Sequence, residues 1–293
     1  DDSRSHHPSC AGISAHVGEV GQGPRHPRQP EFWSRMNKLA HADLQFCLQR
    51  TPRAVLECLK DRPGRAYVAG GFIRSVIARE EVNDIDIFAP SKPEAKSIAD
   101  QLVTGREVKD GRKPYHESEN AFTVRGFFTT PQIIHRWTFD HPSQCIQSFD
   151  FTIACAAFWW EPEYVQMHEN DRDSAPAHWA SICDERFYPD LAAKRLVYRS
   201  PVRDEEPGGS MLRVLKFYQR GYRMPIDSLA AVISRLLGGV DRDGVANLCR
   251  LHGFSEEEAR ARVITKLLRE VDPAIDPKHI AHLPAEGEEA TLE

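Results

Sequence analysis

No apolar run in this chain approaches the roughly 20 residues that a membrane-spanning helix needs. No basic start followed by an apolar core marks a secretory signal. Positive charge is not in excess: 38 Lys and Arg against 43 Asp and Glu leave a net charge of −5. The surface as a whole therefore does not advertise nucleic acid. Cysteine is sparse: seven residues, odd in number, none at the close spacing of a zinc site. That pattern argues against a disulfide framework and predicts reduced thiols in the core of a cytoplasmic protein. What is present is ordinary for a folded chain, with 41% hydrophobic and 28% charged residues. At 293 residues there is enough chain for one sizeable core and a smaller helical part.

Residues 1–30 are rich in Ser, Gly, His and Pro without periodicity and read as a flexible tail. His6, His7, His16 and His26 belong to that tail rather than to a metal site. The first residue is Asp1, which reads as trimming or processing, and Met36 offers a later start. From Phe32 to Leu59 the apolar spacing predicts two helices broken at Thr51-Pro52. Strands are expected over Tyr67–Ala69, Asn83–Phe88, Ala121–Phe128, Ile133–Phe139 and Ile146–Phe158. Helices are expected over Gly71–Arg79 and Pro93–Leu102. Residues 161–189 read as irregular. Glu206-Pro207-Gly208-Gly209-Ser210 reads as a breaker with Ser210 as a helix cap. Helices then follow around 226–237, 240–252 and 255–271. The fold class predicted is α+β: a small mixed, largely antiparallel sheet flanked by helices, then a helical C-terminal region. The expected divisions are 1–30, a catalytic part over 31–205, a helical part over 206–284 and an acidic tail over 285–293.

Two stretches carry chemistry. Val68-Ala69-Gly70-Gly71-Phe72-Ile73-Arg74 is followed, with twelve residues intervening after Gly71, by Asp84-Ile85-Asp86-Ile87-Phe88. On a strand, residues i and i+2 share a face, so Asp84 and Asp86 point together and Ile85 and Ile87 point away. Two adjacent carboxylates repel and need a cation. Mg²⁺ takes oxygen ligands and commonly arrives with substrate phosphates. The paired glycines allow backbone to approach a phosphate at a helix N-terminus. A third acid, Asp150, lies in the alternating run Phe149-Asp150-Phe151-Thr152-Ile153. The bland alternatives are turn acids for the pair, a satisfied structural acid for Asp150 and a surface salt bridge for Arg74. Between 194 and 223 the basic residues Lys194, Arg195, Arg199, Arg203, Arg213, Lys216, Arg220 and Arg223 outnumber the acids. Arg213, Lys216 and Arg220, at i, i+3 and i+7, share one helix face. Trp159, Trp160, Trp179 and Tyr188 are read either as base-stacking platforms or as core-edge aromatics.

This order of motifs resembles the DNA polymerase beta-like nucleotidyltransferase superfamily. It is most similar to the bacterial-type CCA-adding enzymes and poly(A) polymerases. Asp150-Phe151-Thr152-Ile153 resembles their Arg-Arg-Asp-Phe-Thr-Ile segment. Asp190-Leu191-Ala192-Ala193-Lys194-Arg195-Leu196 resembles the segment before their helical neck. Leu212-Arg213-Val214-Leu215-Lys216-Phe217 and Gly221-Tyr222 resemble the neck helix and its ending. The departures are Ser75 for the usual Asp after the first-motif Arg, Ser148-Phe149 for the Arg pair, and Ser210 for the first neck-helix Arg. No Glu-Asp-x-x-Arg base-reading segment is present.

The resemblance implies a template-independent enzyme of the nucleotidyltransferase class, with a fold also found in phage-encoded and defence-associated proteins. It implies two Mg²⁺ ions, or Mn²⁺, held by the catalytic residues Asp84, Asp86 and Asp150. Gly70, Gly71, Arg74, Arg213 and Lys216 would bind a nucleoside triphosphate, and the acceptor would be the 3′ end of RNA or DNA or a growing short oligonucleotide. Two alternatives stand beside it: transfer of a single nucleotide to tRNA or protein, and an inactive nucleic-acid-binding regulatory module. No membrane partner is expected, and oligomeric state is open.

Overall fold

The computed structural model describes residues 36–104, 114–162, 164–168, 171–199 and 207–271. The tail expected over 1–30, the acidic end at 285–293 and the division at 205/206 lie outside the described residues.

The described residues begin with a short strand, β1 (Met36–Asn37), where helical spacing predicted helix; Phe32 lies outside the described residues. Helix α1 (His41–Arg50) and helix α2 (Arg53–Lys60) are separated at Thr51-Pro52 as the sequence predicts. Proline pushes the residue before it out of the helical region. Thr51 is accordingly extended, with ψ 131°. Its hydroxyl donates to the Cys47 carbonyl at 2.8 Å and its N–H to the same oxygen at 3.0 Å, closing α1.

Strand β2 (Tyr67–Ala69) runs into Gly70, and helix α3 (Gly71–Ala78) follows at once. Gly70 has φ 90°, a left-handed value that glycine adopts without steric cost. Strand β3 (Asp84–Phe88) and helix α4 (Lys92–Val103) come next. Ser91 caps α4 by accepting the Glu94 N–H, and Pro93 sits in the first turn, where no hydrogen bond is lost. Strands β4 (Tyr115–Glu117), β5 (Ala121–Val124) and β6 (Thr130–Ile134) lie beyond. Then come helix α5 (Pro142–Gln147), a 3₁₀ turn (Thr152–Ala154) and strand β7 (Ala156–Glu161). Strands β8 (Tyr164–His168), β9 (Asp171–Ala175) and β10 (His178–Asp184) lead to helix α6 (Phe187–Ala192). Four helices complete the described chain: α7 (Pro207–Gln219), α8 (Ile226–Gly238), α9 (Arg242–His252) and α10 (Glu256–Val271).

The main sheet has the order β1-β10-β7-β2-β3-β6-β5-β4. Its neighbours pair antiparallel except β3 and β6, which are parallel through a crossover that includes α4. The architecture is α+β, mixed and largely antiparallel, with a helical C-terminal run. One face of β3 carries Ile85 and Ile87, both fully buried, into the larger core with Val68, Phe72, Ile98, Phe122 and Ile133. The other face carries Asp84, Asp86 and Phe88. Phe88 joins a smaller aromatic cluster, stacked on Tyr67 at 5.6 Å and tilted to Phe149 at 5.9 Å.

Three expectations are corrected. The strand expected over Ile146–Phe158 is a helix, an extended connection, a 3₁₀ turn and then β7. Pro142 fits the first turn of α5, and the His141 ring accepts the Ser143 N–H as its cap. The alternation around Asp150 does not sort two faces, because Phe149 packs in the smaller cluster while Phe151 and Ile153 pack in the larger. Residues 161–189 are not irregular. They hold a separate two-stranded β8–β9 sheet, strand β10 and the start of α6. Ser210 is not a cap, since α7 already begins at Pro207 and carries Gly208 and Gly209 inside it. Gly208 is needed there: a Cβ would stand 3.0 Å from the Leu267 carbonyl oxygen of α10.

Candidate functional site

Where β2, β3 and the Asp150 connection face α7, they enclose a cavity of about 320 Å³. Every predicted site residue lines it: Gly70, Gly71, Arg74, Asp84, Asp86, Asp150, Arg213 and Lys216. Phe88, Trp137, Phe149 and Phe217 form apolar parts of the wall, and Arg220 adds a further cation. Carboxylates therefore gather on the sheet side and cations on α3 and α7.

Asp84 and Asp86 are half-buried on the β3 face opposite two fully buried isoleucines. The pleat alone accounts for that arrangement. Gln132, on the parallel neighbour β6, donates its side-chain N–H to Asp84 Oδ2 at 3.1 Å.

Asp150 is 3% exposed. It sits at a bend and not in a strand: its carbonyl accepts the Arg199 N–H at 2.7 Å, and the next residue, Phe151, bridges Tyr198 antiparallel. The side chain accepts from Arg213 Nη1 at 2.6 Å and from Ser210 Oγ at 3.1 Å. Ser210, the departure on the neck helix, thus supplies a neutral donor to the third acid. Asp190, of the segment before that helix, is fully buried and serves structure. It accepts from Thr152 Oγ1 at 2.7 Å and pairs with Arg186 at 3.0 Å and Arg195 at 3.2 Å. It ties α6 to the turn just after Asp150.

Arg74 is a buried residue of α3, 6% exposed, not a surface salt bridge. Its Nη2 donates to Ser75 Oγ at 2.7 Å, and its guanidinium lies over the Phe217 ring at 4.8 Å. Burial lowers its pKa, the neighbouring Arg220 lowers it further, and Glu80 opposes both.

Among the described residues, no three His, Cys, Asp or Glu side chains converge closely enough to form a preformed metal cage. The donor chemistry of Asp84 and Asp86 still suits a hard divalent cation that keeps other ligands from substrate oxygens. Buried thiols play no part in the site. Burial pushes Cys58 up to about 11 and Cys47, Cys155 and Cys183 up to about 12. The four aromatics offered for base stacking pack against protein. Trp160 meets Trp179 edge-on at 5.1 Å, Trp159 is 6% exposed, and the Tyr188 hydroxyl donates to Asp43 at 2.7 Å. The aromatic in the cavity wall that the sequence reading missed is Trp137. Arg220, which shares the basic face by its i+7 spacing from Arg213, also lines the cavity.

A profile of the Gabija anti-defense 2 family matches residues 38–193, just over half of the chain. The chain belongs to that family. A Gabija anti-defense 2 protein of Bacillus phage SPbetaL7 is 27% identical over 116 residues, covering 40% of this chain and 27% of that protein. The acetyl-CoA decarbonylase/synthase complex subunit delta of Archaeoglobus fulgidus is 28% identical over 142 residues, covering 47% of this chain and 29% of that subunit. This Gabija anti-defense 2 family member thus spans under a third of the curated relatives' length. Among solved structures, a Thermotoga maritima CCA-adding enzyme complexed with tRNA aligns over 80% of this chain and 55% of its own. Its TM-score is 0.45 at 16% identity. An apo form of a CCA-adding enzyme aligns over 80% and 54%, with a TM-score of 0.47 at 15% identity. Resemblances this loose carry no functional argument. No helix among the described residues is long and apolar enough to cross a membrane.

Proposed function

We propose that this family member is a metal-dependent, template-independent nucleotidyltransferase. It would join the nucleotide of an NTP or dNTP to a nucleic-acid 3′ hydroxyl, or build a short oligonucleotide, and release pyrophosphate. One observation supports the reading: Gly70, Gly71, Arg74, Asp84, Asp86, Asp150, Arg213 and Lys216, far apart along the chain, line one cavity that carries both carboxylates and cations. In the reaction an acceptor hydroxyl attacks the α-phosphorus. A new P–O bond forms as the bond to the pyrophosphate oxygen breaks. The protein needs mainly to position the two reactants and stabilise developing charge.

The Gly70-Gly71 turn brings backbone N–H groups of the α3 N-terminus toward phosphate oxygens. Arg74, Arg213 and Lys216 supply charge-assisted contacts to the triphosphate. Asp84 and Asp86 would hold Mg²⁺ or Mn²⁺, which neutralises phosphate charge and lowers the pKa of a bound hydroxyl. Asp150 is the third carboxylate, and an incoming triphosphate competes with it for Arg213. The family description and the phage relative support a role against Gabija defence; RNA or DNA would be the acceptor and the cytoplasm the place of action.

A second reading is an inactive nucleic-acid-binding module. The Asp150–Arg213 ion pair favours it, because the third acid is already neutralised inside the protein. One experiment separates them. The protein is incubated with each labelled NTP and dNTP, with Mg²⁺, Mn²⁺ or EDTA, with and without RNA and DNA acceptors, and products are resolved by length. Metal-dependent extension supports the enzyme, and its length tells single transfer from polymerisation. No nucleotide consumption under any condition, with acceptor still bound, supports the module.

A further inference from the structure

Arg74 of α3 and Arg220, in the turn just after α7, line the same cavity. Two guanidinium groups so placed repel each other; burial first, and Arg220 second, lower the pKa of Arg74. The Glu80 carboxylate reaches both. Glu80 Oε2 lies 3.5 Å from Arg74 Nε and 3.7 Å from Arg220 Nη1. The Glu80 side chain is only 13% exposed, and its oxygens meet the two guanidinium groups at ion-pair rather than hydrogen-bond distance, with the Tyr222 phenol beside them. Such a group is costly to bury unless its charge is compensated.

Its position is built by the backbone. Arg79 ends α3 in the left-handed region at φ 56°, uncommon for a residue with a side chain. The Glu80 N–H then folds back to the Ser75 carbonyl at 2.8 Å. From the other side, Gly221 at φ 85° reverses the chain after α7 and returns the fully buried Tyr222. Burial and Glu80 together push the Tyr222 phenol up. Glu80 does not line the cavity that its arginines line. It faces a separate cavity of about 640 Å³, shared with Arg50, Phe72 and Phe128. It thus backs the arginines without occupying the space open to a ligand.

We propose that Glu80 is a positioning residue that aims Arg74 and Arg220 together at the phosphates of the bound nucleotide. This rests on the nucleotide-binding reading of the cavity. Coulomb's law alone predicts the opposite of positioning: deleting a negative charge near a polyphosphate tightens binding. The sign of the effect therefore decides. Binding of a fluorescent ATP analogue, and its competition by inorganic tripolyphosphate, is measured for wild type, Glu80→Gln, Glu80→Asp and Arg74→Met. Thermal melting is recorded for each.

Glu80→Gln is expected to bind both probes about tenfold more weakly. Glu80→Asp, with charge but less reach, should be intermediate, and it carries the test if Glu80→Gln fails to fold. In an Arg74→Met background Glu80→Gln should add little. Unchanged or tighter binding in the folded Glu80 variants overturns the proposal, as does a melting loss with affinity intact, which marks a purely structural role. A wild type that binds neither probe defeats the nucleotide reading itself, and the proposal falls with it.

Discussion

Replacing Arg213 with alanine strips the counter-charge from Asp150, a carboxylate whose side chain is 4% exposed. Removing one partner of a fully buried pair costs about 3–5 kcal/mol, since the other charge stays behind uncompensated. Arg213 itself is 36% exposed, so water can reach the vacated position and screen part of that penalty. Ser210 continues to donate one hydrogen bond. The expected loss is therefore about 1–3 kcal/mol, or a melting shift of roughly 3–10 °C for a chain of this size. Asp150→Asn is the complementary change. It removes the buried charge while Arg213 turns to solvent, and should cost no more than about 1 kcal/mol. The double variant should then recover most of the Arg213→Ala loss. Urea unfolding of the four proteins, compared at equal m-values, gives the coupling free energy free of Arg213's other contacts. Additivity within about 0.5 kcal/mol would refute the idea that this ion pair holds the third acid.

Asp84→Asn and Asp86→Asn should each lower nucleotide incorporation by about 100-fold or more with melting unchanged, because removing either acid relieves like-charge repulsion; full activity in either folded variant removes the metal assignment. Gly70→Ala should destabilise by about 1–3 kcal/mol from its backbone alone, since φ 90° with ψ −134° is a conformation that a residue with a Cβ rarely adopts. The new Cβ meets Phe149 no closer than 3.6 Å, so a larger melting loss would show that sterics and not φ is the cause. Burial, then Lys92, lower the pKa of His135 in the folded protein. Protonation is thus resisted by the native state, and stability should hold above an unfolded value of about 6.5 and fall as pH drops below it. Melting of wild type and His135→Gln between pH 5 and 8 tests this, and parallel curves would exclude His135 as the cause.

The two-carboxylate strand was legible because the pleat leaves no choice once Ile85 and Ile87 are buried. The basic face of α7 was legible because three cations recur at helical spacing. The third acid was recognisable as a residue but not as a structure. Phe149, Phe151 and Ile153 are apolar for two different cores, and that imitates the alternation of a strand. Strand β9 reads Asp-Arg-Asp-Ser-Ala, whose pairing rests on backbone hydrogen bonds that leave no hydrophobic trace. Gly208 looked like a chain breaker because its reason is tertiary: the approach of α10. Glu80 gave only an indirect sign. A buried Arg74 followed by Ser75 needs a counter-charge, and sequence does not say from where.

The walls of the cavity are far apart along the chain, from Gly70 at one end to Arg220 at the other, and β7 holds the middle by pairing with both β2 and β10. During synthesis the sheet can close as soon as β10 has emerged, yet its open side then shows Asp150 without Arg213 and Phe151 without Phe217, its edge-on neighbour at 5.7 Å. A ribosome stalled before α7 would therefore present a folded sheet with an uncovered acidic and aromatic floor, sticky to chaperones and open to proteases. The cavity becomes complete only with Arg220, just past the end of α7, so a truncated product carries the acids of the site with Arg74 but without Arg213, Lys216 and Arg220.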